Sequence, residues 1–187
     1  MNKPTITREL LWELLDYDPD TGVLIWKERK TGSPYWRDQD ARTFNTRYAG
    51  KQAGALVRYS RSGLFRRSIK IFQQNFRSYR IIWVMMTGEW PKEGIDHIDQ
   101  DSTNDKWQNL REATHSQNAK NLPMSKANNS GHVGVSKKKN GRYRCRIQVN
   151  GVEICTTCET EKEAIAQRKK WNQMYGFTEN HGRVKGE

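Results

Sequence analysis

Ile95-Asp96-His97-Ile98-Asp99-Gln100-Asp101, continued by Asn104, by Asn109-Leu110-Arg111 and by Ser116-Gln117-Asn118, is the stretch on which the reading of this chain turns. It gathers one histidine, several carboxylates and several amides within about one supersecondary unit. Oxygen donors of this kind suit a hard divalent ion such as Mg²⁺. A neighbouring imidazole can take a proton from water near neutral pH. Hydrolysis of a phosphodiester uses both: a base for the nucleophile, and positive charge for the phosphate and the leaving 3′ oxygen. The same residues also describe a polar loop between a strand and a helix, and that alternative stays open at this point.

Upstream, Tyr79, Ile82, Trp83 and Met86 recur at helical spacing, with Gly88 ending the helix and Pro91 preventing its continuation. This stripe reads as core packing. Before it, residues 64–72 form a basic strand region with Ile69 and Ile71 on one face. At the N-terminus, residues 7–15 carry Leu10, Leu11, Leu14 and Leu15 as a short amphipathic helix. Tyr17-Asp18-Pro19-Asp20-Thr21-Gly22 then turns the chain into a strand, Val23-Leu24-Ile25-Trp26. The aspartates there fall short of a calcium loop, because Arg29 stands where such a loop ends in Glu. Residues 27–53 are polar and weakly patterned, with Tyr35, Trp36, Phe44 and Tyr48 among Arg37, Arg42 and Arg47. Two readings fit: a nucleic-acid contact or an irregular loop pinned by aromatics.

Downstream, residues 121–129 lack periodicity and read as a linker. Asn140-Gly141 and Asn150-Gly151 mark hairpins dividing strands over residues 132–138, 142–149 and 152–158. The middle strand alternates: Tyr143, Cys145, Ile147 and Val149 face one way, and Arg142, Arg144, Arg146 and Gln148 the other. A two-residue second turn pairs Val149 with Val152 and Ile147 with Ile154. The first loop must have an odd length of three or five residues, or Val133 and Val135 would fall on the arginine face. A helix over residues 160–175 follows, opened by a Thr160/Glu163 capping box and closed by Gly176, with Ala164, Trp171, Tyr175 and Ile165 covering the apolar sheet face. The arginine row, with Gln148 and the nearby Lys138, has the shape of a major-groove reader; a solvated basic face is the alternative. Cys155 and Cys158, three apart on a strand, point to opposite faces and lack a second ligand pair, which argues against zinc.

Composition limits the rest. In 187 residues, 33 Lys and Arg face 21 acidic residues, a net charge of +12 that favours a polyanionic partner. Hydrophobic residues make up 34% and the mean hydropathy is −1.00, which predicts several small cores instead of one deep one. Three cysteines form no even disulfide set, and the longest apolar run, residues 81–86, is too short to cross a bilayer. The expectation is a soluble, cytoplasmic protein with no membrane partner and no small-molecule cofactor.

Asp96-His97, Asn109 and Asn118, with the flanks Thr87-Gly88-Glu89-Trp90-Pro91 and Asn109-Leu110-Arg111-Glu112-Ala113-Thr114, resemble the HNH nuclease motif in its phage and homing-endonuclease form. The resemblance implies a ββα-metal fold clasping one divalent cation, Mg²⁺ or alternatively Mn²⁺. It implies Asp96 and Asn118 as metal ligands, His97 as general base, and Asn109 as the brace that orients the histidine. His115 stands near enough in sequence to compete as a ligand, although capping or phosphate contact fits it better; Asp99 and Asp101 read as loop hydrogen bonders. Asn129-Ser130-Gly131-His132-Val133-Gly134-Val135 and the strand around Arg142 resemble the Apetala/ethylene-response-factor type of DNA-binding domain. That likeness implies that Arg142, Arg144 and Arg146 touch double-stranded DNA.

The expected fold class is therefore α+β: residues 1–56 as an N-terminal segment, 57–120 as the nuclease, 121–130 as a linker, and 131–187 as a three-stranded antiparallel sheet packed on one helix. The expected activity is metal-dependent DNA cleavage by a phage-encoded homing or mobile-element enzyme. The competing expectations are a non-catalytic DNA-binding regulator on an HNH scaffold and an RNA-binding module.

Overall fold

The structure, a computed structural model, describes residues 4–59, 64–125, 127–128 and 130–184. Lys126 of the expected linker and Asn129 of the second motif lie outside the described residues. The chain divides into two compact units, residues 1–97 with 101–112, and residues 98–100 with 113–187.

The first unit begins with α1 (Arg8–Leu14), capped by the Thr7 hydroxyl, which accepts from the Leu10 amide. Its leucines go inward with β1 (Leu15–Asp18) and β2 (Val23–Trp26), an antiparallel hairpin in which Leu15 faces Trp26. The hairpin turn is closed by the Asp18 carboxylate, which accepts from the amides of Asp20 and Thr21 and from the Thr21 hydroxyl. Next come α2 (Asp38–Tyr48) and an antiparallel sheet in the order β3 (Ala55–Tyr59), β4 (Leu64–Ile71), β5 (Gln74–Arg77). Ile69 and Ile71 on β4 are buried, on the face their spacing predicts. α3 (Ser78–Thr87) ends at Gly88 in the left-handed region, φ 89°. Near that end the Met85 carbonyl accepts from Arg8 Nε at 3.0 Å and Trp12 Nε1 at 3.1 Å, which ties α1 to α3. β6 (Gly94–His97) and β7 (Leu110–Ala113) then form a two-stranded sheet.

Three expectations change here. Residues 27–53 are not an irregular loop throughout, because α2 occupies their second half. That helix is polar nearly all round and buries only Ala41, so its sequence carries no apolar stripe to announce it. Of the aromatics in residues 27–53, Phe44 meets Trp26 edge-on at 5.3 Å with the Arg29 guanidinium 3.6 Å above its ring, and Trp36 stacks near Phe72, while Tyr35 and Tyr48 stay exposed. On α3, Ile81, Val84 and Met85 are fully buried, whereas Trp83 and Met86 of the expected stripe are half-buried. Finally, a boundary at residues 56/57 separates nothing, since one core runs from Ile6 through Leu24, Ile69 and Ile81 to Leu110.

The second unit contains α4 (His115–Ala119), an antiparallel sheet in the order β10 (Val152–Cys158), β9 (Tyr143–Val149), β8 (Val135–Lys137), and α5 (Glu161–Met174). Val149 pairs with Val152 and Ile147 with Ile154, and Lys137 pairs with Tyr143 across a five-residue loop, so Val135 meets Cys145 on the apolar face. Both registers are those the alternation requires. The first strand is shorter than expected, leaving Lys138 and Arg142 in the loop. α5 opens with the Thr160/Glu163 capping box, and Ala164, Ile165 and Trp171 cover Val135 and Cys145. Burial raises the Cys145 thiol above its ordinary pKa. Cys155 is exposed and Cys158 packs against the inner cluster.

Candidate active site

β6 ends on Asp96 and His97, and both side chains are buried, each residue 7% exposed. Burial of two ionisable neighbours requires partners, and different elements of the first unit supply them. Asp96 Oδ2 accepts from Arg111 on β7 twice, from Nε at 3.0 Å and from the terminal nitrogen at 2.7 Å. His97 Nε2 lies 2.9 Å from Asp105 Oδ1, and the edge of its ring meets Tyr79 with centroids 5.3 Å apart.

Asp105 is more deeply buried than the histidine, at 4% exposure. Its second carboxylate oxygen accepts from the Ser78 hydroxyl, and its backbone carbonyl accepts from the Tyr17 hydroxyl at 2.9 Å. Burial, and next the charge of Asp105, raise the Tyr17 phenol above its ordinary pKa. The hairpin turn grips the same loop through its backbone, with Trp107 N–H donating to Pro19 at 3.1 Å. Gly22 lies against it at φ +77°, where a Cβ would come within 2.6 Å of the Asp105 carbonyl carbon.

Asn109 is buried in a single 3₁₀ turn (Trp107–Asn109), and its amide donates to the Asn104 carbonyl at 2.8 Å. Asn109 thus braces the 104–109 loop, while Asp105 in that loop reaches the imidazole. Asp101 accepts from the Thr103 amide and hydroxyl, a loop role. Asn118 is an exposed residue of α4 and belongs to the second unit, unlike Asp96, His97 and Asn109. α4 is capped by Thr114 and Gln117; His115 is its first residue and not its cap.

Asp105, Ser78 and Tyr17 were not among the residues expected at the site. One signal existed, an aspartate between the histidine and Asn109, but Asp99 and Asp101 offered the same signal.

Residues 79–120 match the model of an HNH endonuclease domain. Over 88 residues the chain is 39% identical to Protein 3.8 of Escherichia phage T7, covering 46% of this chain and 73% of that protein. Through this domain the chain belongs to the HNH endonuclease family. No solved structure matches the chain. The HNH match begins one residue after Ser78 and ends one residue beyond α4. Tyr17 and Gly22, which grip the loop of His97's partner, come from outside it.

The donor chemistry of the HNH region suits a divalent cation of the hard class. Among the described residues no three Asp, Glu, His or Cys side chains converge on one point. Asp96 is the buried carboxylate that an ion of this class would take, with water and substrate phosphate completing its coordination.

On the second unit, Arg142, Arg146, Gln148 and Lys138 are exposed and Arg144 is half-buried, and the arginines and Lys138 have partners. Arg144 pairs with Glu153 at 2.5 Å, Arg146 reaches the same carboxylate at 3.4 Å, and Arg142 pairs with Glu159 at 2.6 Å. Lys138 Nζ stands 3.4 Å from the Thr157 hydroxyl, and Gln148 is exposed opposite Glu153 in the register. Beneath this face Arg168 is buried, donating to the Arg146 carbonyl and to Asn172, with His181 Nε2 at 3.3 Å. Burial, and next the charge of Arg168, push the His181 pKa down to about 4. Among the described residues no helix is long and apolar enough to cross a membrane.

Proposed function

We propose that the chain is a divalent-metal-dependent DNA endonuclease that hydrolyses phosphodiester bonds, encoded by a phage and acting as a nicking, homing-type enzyme in the host cytoplasm. The observation that carries this reading is the buried His97–Asp105 pair, 2.9 Å apart, directly beside the buried Asp96 carboxylate in a domain of HNH type. A carboxylate on Nε2 keeps the ring's hydrogen on that nitrogen and leaves Nδ1 as the basic one. His97 then takes the proton of an attacking water. Arg111 holds the Asp96 carboxylate in one orientation through two charge-assisted bonds. Asn109 keeps the loop closed beneath the histidine's partner. Asp96 would hold the cation, and the HNH resemblance adds Asn118 as its second ligand, with Mg²⁺ as the ion and Mn²⁺ as its substitute. When bound, such an ion supplies positive charge at the scissile phosphate and at the leaving 3′ oxygen.

Double-stranded DNA is the substrate in this reading, and the second unit, as a domain of the Apetala/ethylene-response-factor type, supplies affinity and register. Arg142, Arg144, Arg146, Gln148 and Lys138 are its contact residues. The net charge of +12 supports a polyanionic partner, and exposure of the arginine row supports this face as the contact.

The test is relaxation of supercoiled plasmid by the purified chain with Mg²⁺, with Mn²⁺ and with EDTA, beside His97→Ala. The wild type is expected to nick only with metal. His97→Ala should lose at least about 100-fold in rate, the scale of general-base catalysis, while retaining DNA affinity in a gel-shift assay. Binding without cleavage by the wild type across several divalent ions and candidate targets would instead establish the regulator.

A further inference from the structure

We infer that Asp105 is the positioning residue that selects the tautomer of His97, and that the hairpin turn at residues 17–22 is part of the nuclease because it holds Asp105 in place. The inference rests on the reading of His97 as the base, and extends it to residues outside the HNH match.

An ionised carboxylate only accepts hydrogen bonds. Asp105 Oδ2 receives the Ser78 hydroxyl hydrogen and Oδ1 lies 2.9 Å from His97 Nε2, so the nitrogen facing it must carry hydrogen. The neutral ring that fits has N–H at Nε2 and its lone pair at Nδ1. A carboxylate can impose this only if it cannot rotate or withdraw. Ser78, at the start of α3, is 1% exposed and fixes one oxygen. The backbone of Asp105 is pinned by the Tyr17 hydroxyl on its carbonyl, by the Trp107-to-Pro19 bond beyond it, and by the approach of Gly22 to Asp105 and Lys106. Side chain and backbone are therefore held from two separate directions, α3 and the hairpin. Holding the loop solely for stability would not require the carboxylate to end on an imidazole nitrogen, and here both its oxygens are committed to named donors.

Asp105→Asn removes the acceptor-only character while keeping the shape. Its amide can turn an N–H toward Nε2, which moves the ring hydrogen to Nδ1 and abolishes the base. Tyr17→Phe loosens the same residue without touching the ring. The experiment uses the full chain with ¹⁵N-labelled histidine, read by NMR at about pH 8.5, where an imidazole is neutral, with His97 assigned against His97→Ala. In the wild type Nε2 should give the shift of a protonated nitrogen and Nδ1 that of an unprotonated one. In Asp105→Asn the two should mix or exchange. On plasmid, Asp105→Asn should lower kcat on the order of 100-fold with KM for DNA unchanged, and Tyr17→Phe a few-fold in the same direction. Added to His97→Ala, Asp105→Asn should cost nothing more. The inference is overturned if wild-type His97 carries its hydrogen on Nδ1, if Asp105→Asn leaves the ring shifts unchanged, or if it slows His97→Ala by the factor seen in the wild type. A wild type that cuts no DNA overturns the nuclease reading instead; the ring shifts then still decide whether Asp105 selects the tautomer.

Discussion

The candidate active site of the first unit and the arginine row of the second treat their charged side chains in opposite ways. In the first, Asp96, His97 and Asp105 are buried, and each meets partners drawn from other elements: Arg111 on β7, Tyr79 and Ser78 on α3, Tyr17 on β1. In the second, Arg142, Arg144 and Arg146 stand on an outer face and pair with Glu153 and Glu159 in contact with water. A buried polar group without its partner costs far more than an exposed one, whereas an exposed ion pair contributes about 0–1 kcal/mol and exchanges readily. The first arrangement suits chemistry, in which a group must be held in one state before substrate arrives. The second suits a surface whose arginines can trade a glutamate for a phosphate.

The largest expected effect tests the rigidity of the first unit. In Gly22→Ala the new Cβ would collide with backbone at 2.6 Å in a left-handed conformation, so one of two backbone segments must move. A loss of roughly 2–4 kcal/mol in stability is expected, together with a drop in cleavage rate, while DNA affinity carried by the second unit persists. Denaturant unfolding and gel shifts measure both. An unchanged melting curve would mean that the hairpin does not grip the loop.

A smaller effect tests the exchangeable surface. Glu153→Gln releases Arg144 and Arg146 from one shared carboxylate. DNA affinity should rise several-fold at low salt. Arg144→Ala should lower affinity and reduce the salt slope by about one counterion. If neither variant moves the affinity, this face does not touch DNA and the comparison between the units fails.

The smallest effect concerns a half-buried imidazole of the second unit. His181 has its pKa lowered to about 4 in the folded chain from an ordinary 6.5. The unfolded chain therefore binds a proton at this site before the folded chain does. Stability from His181 is complete above about pH 6.5 and is lost as the pH falls toward 4. The melting temperature of the wild type should fall between pH 7 and about 4.5, and His181→Gln should flatten that dependence. An equal slope in both would place the acid sensitivity elsewhere.

Much of this molecule was legible in advance because the determining information is local. The alternation of Tyr143, Cys145, Ile147 and Val149 admits only registers that keep one face apolar, hence the odd loop. Thr160 with Glu163 marks the start of α5 by chemistry within four residues. Asp96, His97 and Asn109 stood out because residue types and spacing together narrow the chemistry. By contrast, α2 was hidden because a helix with one buried alanine has no periodic pattern, and what holds it, Trp26 against Phe44 and Arg29 above the same ring, comes from residues before it in the chain. Asp105 was hidden for a related reason. Three aspartates, at 99, 101 and 105, follow His97 within eight residues, and they look alike until it is known which one is buried.

The sequence by itself determined the strand registers of the second unit and the Thr160/Glu163 cap of α5, since each depends on neighbours a few residues apart. Only the tertiary structure decided that the N-terminal hairpin shares one core with the nuclease segment and that Asp105, at a distance of 88 residues from Tyr17, is the carboxylate on the histidine. Burial and partner choice are properties of the packed chain: desolvation falls on whichever side chain the core encloses, and only there does it force a partner to be found.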